Sequence, residues 1–482
     1  MPRRHIHVTA AADDPLRAAL RALRTQMAIP DDFPAAVLAE AEAAAKAPRL
    51  PDEDATDIPF FTIDPPTSRD LDQAMHLARR PEGGYRVQYA IADVAAFVTP
   101  GGAIDTEAHR RATTLYLPDG KVPLHPAVLS EGAASLLPGN IAPALLWRID
   151  LDAEGRTVAT DVRRAKVRSR ARLDYAGAQA QIDAGTAEEP LALLATIGRL
   201  REAREIERGG ISLNVPEQEV TQTDGSYSLE YRAVLPVDGW NEQISLLTGM
   251  AAADLMIAAG TGILRTLPPA PDGSVARLRR SAKALGIDWP HHVSYADLIR
   301  SLDPHNSRHA AFLQDATTLL QGSGYTPFTD GHIPSPAVHA AIADEYTHCT
   351  APLRRLVDRY AGELALAAVA GTAPPEWVLG ALAGLPADMT QGSKRARQAE
   401  GACVDIVEAA LMSGRIGEVF DSVVIDLKTP HTGVVHLEDP AVIGDVDADG
   451  ARLPLGDPLR VRLTQADPGR EKVRFVPAGP TA

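Results

Sequence analysis

The chain has 482 residues and a formal net charge of −15, with 63 Asp and Glu against 48 Lys and Arg. That length implies two to four domains and a sizeable core. The acidic balance excludes a surface coated throughout in nucleic acid, although a nuclease with a locally basic channel stays open. Cys349 and Cys403 form no CxxC pair, which excludes a disulfide framework and points to a reducing, cytoplasmic address.

The first fifty residues read as a small helical module. Asp14-Pro15 has the form of an N-cap followed by proline at the first helical position. Leu16, Leu20, Leu23 and Met27 then share one face. A second helical stretch opens near Asp32 and runs to Lys46. With acids and bases nearly balanced, two readings stand: a helix-turn-helix-like module, or a structural cap on the main body. No secretory apolar region is present.

From Asp57 the pattern is rich in strands. An apolar run, Phe60 to Ile63, delivers Asp64, and a Pro-Pro-Thr-Ser loop then leads to Asp70 and Asp72. Prolines fix φ and keep the loop out of a helix. Three carboxylates on a stiff loop raise one another's pKa unless a positive charge sits between them, and a hard divalent cation is the simplest neutraliser. The motif therefore points to a Mg²⁺ site, with Mn²⁺ as the alternative cation, built by Asp64, Asp70 and Asp72. The competing reading is a polar loop whose aspartates cap turns. A calcium loop would require D-x-D-x-D-G and a distant Glu, which the sequence lacks.

Residues 85–94 pair through Glu82-Gly83-Gly84 with the strand that follows Gln73, as a hairpin that brings Asp93 near the aspartate loop. Strands are expected at 145–151 and 158–167. Six of the ten residues from Arg163 to Arg172 are basic. On a strand, Arg164, Lys166, Arg168, Arg170 and Arg172 share a face, either as a phosphate track or as a solvated face. Helices are expected over 190–210, whose Arg and Glu read as a solvated face, and over 238–265. The stretch 244–264, interrupted by Asp254, is too polar to span a bilayer and reads as a buried helix. In Tyr346-Thr-His-Cys-Thr-Ala-Pro-Leu-Arg-Arg, Pro352 sits where a helix could begin, so that free N–H groups and Arg354 face an anion together. The alternative is an ordinary helix start with Arg354 or Asp358 in an internal ion pair. Another helix covers 393–412. From residue 414 alternating Val/Ile strands suggest a five-stranded OB-type barrel, in which Phe420, His436 and Phe475 are the residues able to stack on bases.

T-I-D-P-P-T-S-R-D-L-D-Q, A-I-A-D-V, T-L-Y-L-P-D, S-L-L-P-G and Y-T-H-C-T-A-P-L-R-R, in that order, resemble the RNB catalytic domain of the RNase II / RNase R exoribonucleases, and the C-terminal barrel is similar to their S1 domain. The resemblance implies an α+β, multi-domain chain: the helical module (1–50), an RNB domain with a mixed sheet and surrounding helices (51–412), and an S1/OB barrel (413–482). It implies Mg²⁺-dependent, hydrolytic, processive 3′-to-5′ degradation of single-stranded RNA to 5′-nucleotides, by a monomer without a membrane partner. Asp64 and Asp70 match metal or positioning aspartates, and Asp72 the aspartate most critical for catalysis. Arg354 matches the arginine on the scissile phosphate, Tyr116 the aromatic stacked near the terminal base, and Glu242 and Glu400 acidic positions at the ribose. Arg355, Asp93, Arg168 and Arg170 are further candidates for RNA contact. Four positions depart from the family pattern. Gln73 replaces an aspartate, making a weaker or water-mediated metal ligand. Ala90 replaces a histidine, Ala351 a serine, and Leu213 stands where an aromatic often completes the base clamp. Two rival readings remain: a catalytically weak or inactive RNB-fold RNA-binding protein, and a metal phosphoesterase acting on small nucleotides or DNA.

Overall fold

The computed structural model describes residues 6–9, 15–30, 32–212, 217–223, 226–232, 234–303, 306–320, 322–437, 440, 442–455, 457–468 and 472–479. Asp14 and Leu213 lie outside them. A short strand, β1 (Ile6–Thr9), precedes the helices α1 (Pro15–Gln26) and α2 (Ala35–Lys46). The N-terminal module is therefore not wholly helical. Pro15 opens α1 as the sequence predicts. Leu16, Leu20 and Leu23 are buried against Leu115, Leu117 and residues of a long C-terminal helix. Val37 and Ala41 of α2 join a different cluster, with Phe97 and Ile104. The two helices thus cover separate parts of the body, in the manner of a cap.

The centre is a closed barrel of β2 (Phe60–Ile63), β3 (Gln73–Arg79), β4 (Tyr85–Ala92), β7 (Ile141–Leu151) and β8 (Thr157–Leu173). Its neighbours are antiparallel except β2 and β8, whose parallel pairing closes the ring. Gly84 makes the β3–β4 turn possible, because its φ is +77° and a Cβ there would lie 2.1 Å from the Leu151 carbonyl oxygen. Strand alternation splits the side chains into two sets. Met75, Tyr89, Trp147 and Ile149 join the largest core, while Ala74, Ala90, Leu146 and Ala165 join the second. Between β4 and β7 come α3 (Ala103–Arg111) and the hairpin β5 (Leu115–Leu117) with β6 (Gly120–Val122).

After β8 the chain forms α4 (Tyr175–Asp183), α5 (Glu189–Arg208), the hairpin β9 (Glu217–Thr223) with β10 (Ser226–Arg232), and α6 (Pro236–Ala259). β1 pairs with β9, completing a three-stranded sheet. α6 is shorter than expected: Gly260, at φ +72°, ends it, and residues 262–266 form a strand, β11 (Gly262–Thr266). Then follow α7 (Asp272–Ala284), α8 (Tyr295–Ser301), α9 (Ser307–Ala316), β12 (Gly324–Phe328), β13 (Val338–His339), β14 (Asp344–Glu345), α10 (Leu356–Ala370), α11 (Glu376–Leu382) and α12 (Leu385–Met412).

The last unit is a second closed barrel, from β15 (Val419–Leu427), β16 (Thr432–Leu437), β17 (Ile443–Asp447), β18 (Pro458–Gln465) and β19 (Arg474–Pro477). Its three stacking candidates are not available for bases. Phe420, His436 and Phe475 are buried, and the two phenylalanines pack edge to face inside the barrel.

Candidate active site

The aspartate loop crosses one end of the first barrel. β2 is buried along its length and hands the chain to Asp64, whose N–H donates to the Leu173 carbonyl at 3.1 Å. At the other side of the loop, the Ala92 N–H donates to the Asp72 carbonyl at 2.9 Å. Ser135, fully buried, staples the middle: its hydroxyl donates to the Arg69 carbonyl at 2.6 Å and accepts from the Leu71 N–H at 2.9 Å. The buried end of the loop, at Leu71 and Asp72, lacks strand partners and takes such side-chain substitutes for a ladder.

A second loop meets it from 281 positions downstream, where the Leu353 N–H donates to Asp72 Oδ1 at 2.8 Å. Arg354 Nε lies 3.2 Å from Asp72 Oδ2. The Arg354 carbonyl accepts from the Thr114 N–H and the Thr113 hydroxyl, each at 3.0 Å. Helix α10 begins at Leu356 rather than at Pro352, and residues 352–354 form a turn. Asp358 explains the delay, since its Oδ1 accepts from the Ala351 N–H at 2.7 Å and holds the chain outside the helix. The expected ring of free N–H groups does not form here, because Leu353 spends its own on Asp72.

The electrostatics mark this end of the barrel. Burial pushes the Asp72 carboxyl up to about 7, against the pull of Arg354 and the Leu353 N–H. Burial likewise pushes Asp64 up to about 7, with Asp70 adding like-charge repulsion and Arg354 opposing it. Asp70 has its own cation: Lys121 Nζ lies 2.6 Å from Asp70 and 2.8 Å from Glu131. Lys121 stands opposite Tyr116 in the β5–β6 hairpin. Tyr116 is 37% exposed. Burial pushes its hydroxyl up to about 12, with Arg354, Asp70 and Asp72 as its charged neighbours. Tyr116 thus stays partly open to solvent within the field of the aspartates and Arg354. Tyr175 and Tyr89 also sense Asp64 and Arg354.

The other predicted residues are placed differently. Gln73 does reach the site, but its amide donates to the Thr350 carbonyl at 2.5 Å, tying the two loops together. Arg355 forms a two-pronged pair with Asp358, at 2.9 and 2.7 Å. Asp93 is buried and accepts from Arg164 at 2.8 Å, and Arg164 also binds Glu363. Arg168 and Arg170 are exposed, and Arg170 donates to the Asp57 carbonyl at 2.8 Å. Further along the same strand, Arg172 is a charged neighbour of Asp64. Glu242 is exposed on α6. Glu400, on α12, is a charged neighbour of Cys403, as are Asp119 and Arg24. Sequence reasoning missed Lys121, Ser135 and Thr113. The Asp119-Gly120 turn was the available signal for Lys121, since it sets Lys121 opposite Tyr116.

Among the described residues no three His, Cys, Asp or Glu side chains gather tightly enough to hold one ion. The donor set nevertheless fits a hard cation. Asp72 is a buried and Asp64 a half-buried carboxylate whose charge is incompletely answered, and an ammonium already occupies the cation position beside Asp70.

The RNB domain family matches residues 52–369, two thirds of the chain, taking in Asp64, Asp70, Asp72 and Arg354 and leaving Glu400 outside. The chain belongs to the RNB family. The RNase II-type exonuclease C-terminal S1 domain matches residues 418–478, which is the second barrel. Ribonuclease R of Aquifex aeolicus is 28% identical over 499 residues, covering 93% of this chain and 68% of that protein. Human exosome complex exonuclease RRP44 is 27% identical over 323 residues, covering 64% of this chain and 33% of its own length. This RNB protein thus spans about two thirds of one relative and a third of the other. Among solved structures, the apo form of Mycoplasma genitalium RNase R has a TM-score of 0.81 at 20% identity, covering 97% of this chain and 78% of its own. Yeast Ssd1, a pseudonuclease, has a TM-score of 0.67 at 16% identity, covering 94% and 59%. The RNB fold therefore occurs with and without nuclease activity, so activity rests on the site. Among the described residues no helix is long and apolar enough to cross a membrane.

Proposed function

We propose that this RNB protein is a hydrolytic, Mg²⁺-dependent exoribonuclease that removes 5′-nucleotides from the 3′ end of single-stranded RNA, with Mn²⁺ as an alternative cation. The observation that carries this reading is the meeting of Asp72 and Arg354 across two loops, through the Leu353 N–H and the 3.2 Å contact to Nε. The 3.2 Å approach to Asp72 and the bonds its carbonyl accepts from Thr113 and Thr114 set the place of Arg354 before substrate arrives, and its side chain is 43% exposed. It can accept phosphate oxygens on its outer nitrogens without changing protonation. Asp64, Asp70 and Asp72 would hold the cation, which when bound supplies a Lewis acid for the phosphate and an acidified water. Tyr116 offers an exposed ring on which a terminal base stacks. Arg168 and Arg170, with Arg172, trace a basic line along β8 toward Asp64 that suits an RNA backbone. Glu242 and Glu400 are proposed ribose contacts. RNase R of M. genitalium has been solved in complex with ribose methylated single-stranded RNA, which agrees with such a substrate class.

One observation favours a weaker or inactive RNA-binding protein. Gln73 is turned to Thr350 and Lys121 sits on Asp70, so two positions around the aspartates are taken by the chain itself. The Asp72→Asn variant separates the readings. In Mg²⁺ with a 3′-tailed RNA, the wild type should release mononucleotides, and the variant should lose that release while keeping RNA binding. Equal release by both, or none by the wild type, contradicts the nuclease.

A further inference from the structure

A polar cavity lies at the end of the first barrel opposite the aspartate loop. Ala144 pairs with Ala92 beside the aspartate loop, and Leu151, seven residues on, pairs with Tyr85 at the far rim. At ~3.4 Å per strand residue the separation is roughly 24 Å. The cavity there, of about 340 Å³, has as its charged lining Arg201, Arg204, Glu207 and Arg208 of α5, with Arg156, Asp254 and Asp344. Arg and Glu at helical spacing predicted a solvated face, and the structure overturns that for Arg201 and Glu205, both of which are buried. Glu205 is already taken by the Gln243 amide, at 2.5 Å.

The three guanidinium groups on this face are only partly satisfied. Arg201 donates to the Gly155 carbonyl and Arg208 to the Ile342 carbonyl, each at 2.8 Å, while Arg204 pairs with Glu207 at 2.6 Å. Yet Arg201 Nε, Arg204 Nε and Arg208 Nη2 are buried without an acceptor. Buried N–H groups are rarely left unpaired, and three of them belong to residues that line one cavity, which points to an absent acceptor there. Burial, together with repulsion from Arg208 and Arg204, lowers the Arg201 pKa to about 10. Burial and the neighbouring Asp344 and Glu345 raise Asp254 to about 6. Charge on both sides of the cavity is thus incompletely compensated.

We propose that this cavity binds a phosphate-bearing small molecule of mononucleotide size. Its phosphate oxygens would accept from Arg201, Arg204 and Arg208, and sugar hydroxyls would donate to Asp254 and Asp344. The volume lies within the ~300–1,000 Å³ of small-molecule sites. Arginine forks match phosphate oxygens, and the opposing carboxylates suit a ligand that also carries hydroxyl donors. The assignment uses none of the residues given to RNA cleavage.

The test is titration calorimetry of the full chain in chelator, saturated with a single-stranded RNA so that the site beside Asp72 is already filled. 5′-AMP should bind at one saturable site, and adding Arg204→Gln should weaken it at least tenfold without lowering the melting temperature. Asp254→Asn should weaken 5′-AMP severalfold without weakening inorganic phosphate. On the unmutated chain, 5′-AMP should protect Arg204 and Arg208 from an arginine-directed reagent. Unchanged affinity in Arg204→Gln, binding of inorganic phosphate alone, or lack of protection would each overturn the proposal.

Discussion

Among the described residues, two closed five-stranded barrels treat their charged residues in opposite ways. The first buries Asp72 at one end, 2% exposed, and answers it from a loop 281 positions away. The second keeps its charges outside, in pairs such as Lys428 with Asp445 at 2.8 Å, and fills its interior with Phe420, Phe475 and valines. Closing a sheet into a barrel does not by itself create chemistry. The difference arises where loops cross the end of a barrel and bury carboxylates that the barrel cannot satisfy. Such charges are costly to bury, and they persist where positioned for work.

The largest expected effect comes from breaking the contact that the second barrel lacks. Arg354→Gln should lower kcat/KM for a 3′-tailed RNA by about 10²–10³-fold, the usual scale for losing one preorganised electrostatic contact. It should alter RNA binding far less. A matched substitution on the outer face of the second barrel, such as Lys428→Ala, should leave turnover within twofold.

The pH dependence sharpens the contrast. Asp64 and Asp72 have folded-state pKa values near 7, above their ordinary 3.8. Between those pH values the folded protein binds more protons than the unfolded chain, so stability falls as pH rises from about 4 to 7. For Asp72, nearly fully buried, the loss is on the order of a few kcal/mol. Thermal melts in chelator should show the decline, Mg²⁺ should restore stability at pH 7–8, and Asp72→Asn should flatten the slope. A rise in stability over the same interval would contradict the burial argument.

Lys121 gives a smaller effect. Its ammonium bridges Asp70 and Glu131, so Lys121→Met removes a cation that competes for Asp70. Mn²⁺ binding, followed by electron paramagnetic resonance, should tighten about fivefold, equivalent to one contact of ~1 kcal/mol. Weakened Mn²⁺ binding would assign Lys121 to holding the site together. The smallest effect belongs to the second barrel: Lys428→Ala should change stability by about 0.5 kcal/mol or less in urea denaturation, because both partners are substantially exposed.

What could be read from the sequence follows from the range of each interaction. The β3–β4 hairpin and the run that delivers Asp64 depend on neighbours, and both form as patterned. Arg354 reached its place beside Asp72 only through the motif resemblance, since spacing says nothing about a partner so far along the chain. Ser135 was quoted inside a motif, but its two hydrogen bonds to the aspartate loop depend on tertiary approach. Arg201 and Glu205 misled because an Arg/Glu pattern looks the same on a solvated helix and on one pressed against α6. Pro352 misled because a single carboxylate, Asp358, outweighed a proline's preference for starting a helix. Phe420 and Phe475 misled because aromatic residues in a small barrel serve its core as readily as its surface.

The central claim is tested most directly by following one RNA with a 3′ single-stranded tail, labelled separately at each end, in the presence of Mg²⁺. The label at the 3′ end should leave first as a 5′-mononucleotide while the 5′-labelled fragment shortens from its other end. Internal cleavage products, or an RNA left intact by a protein that binds it, would contradict the account.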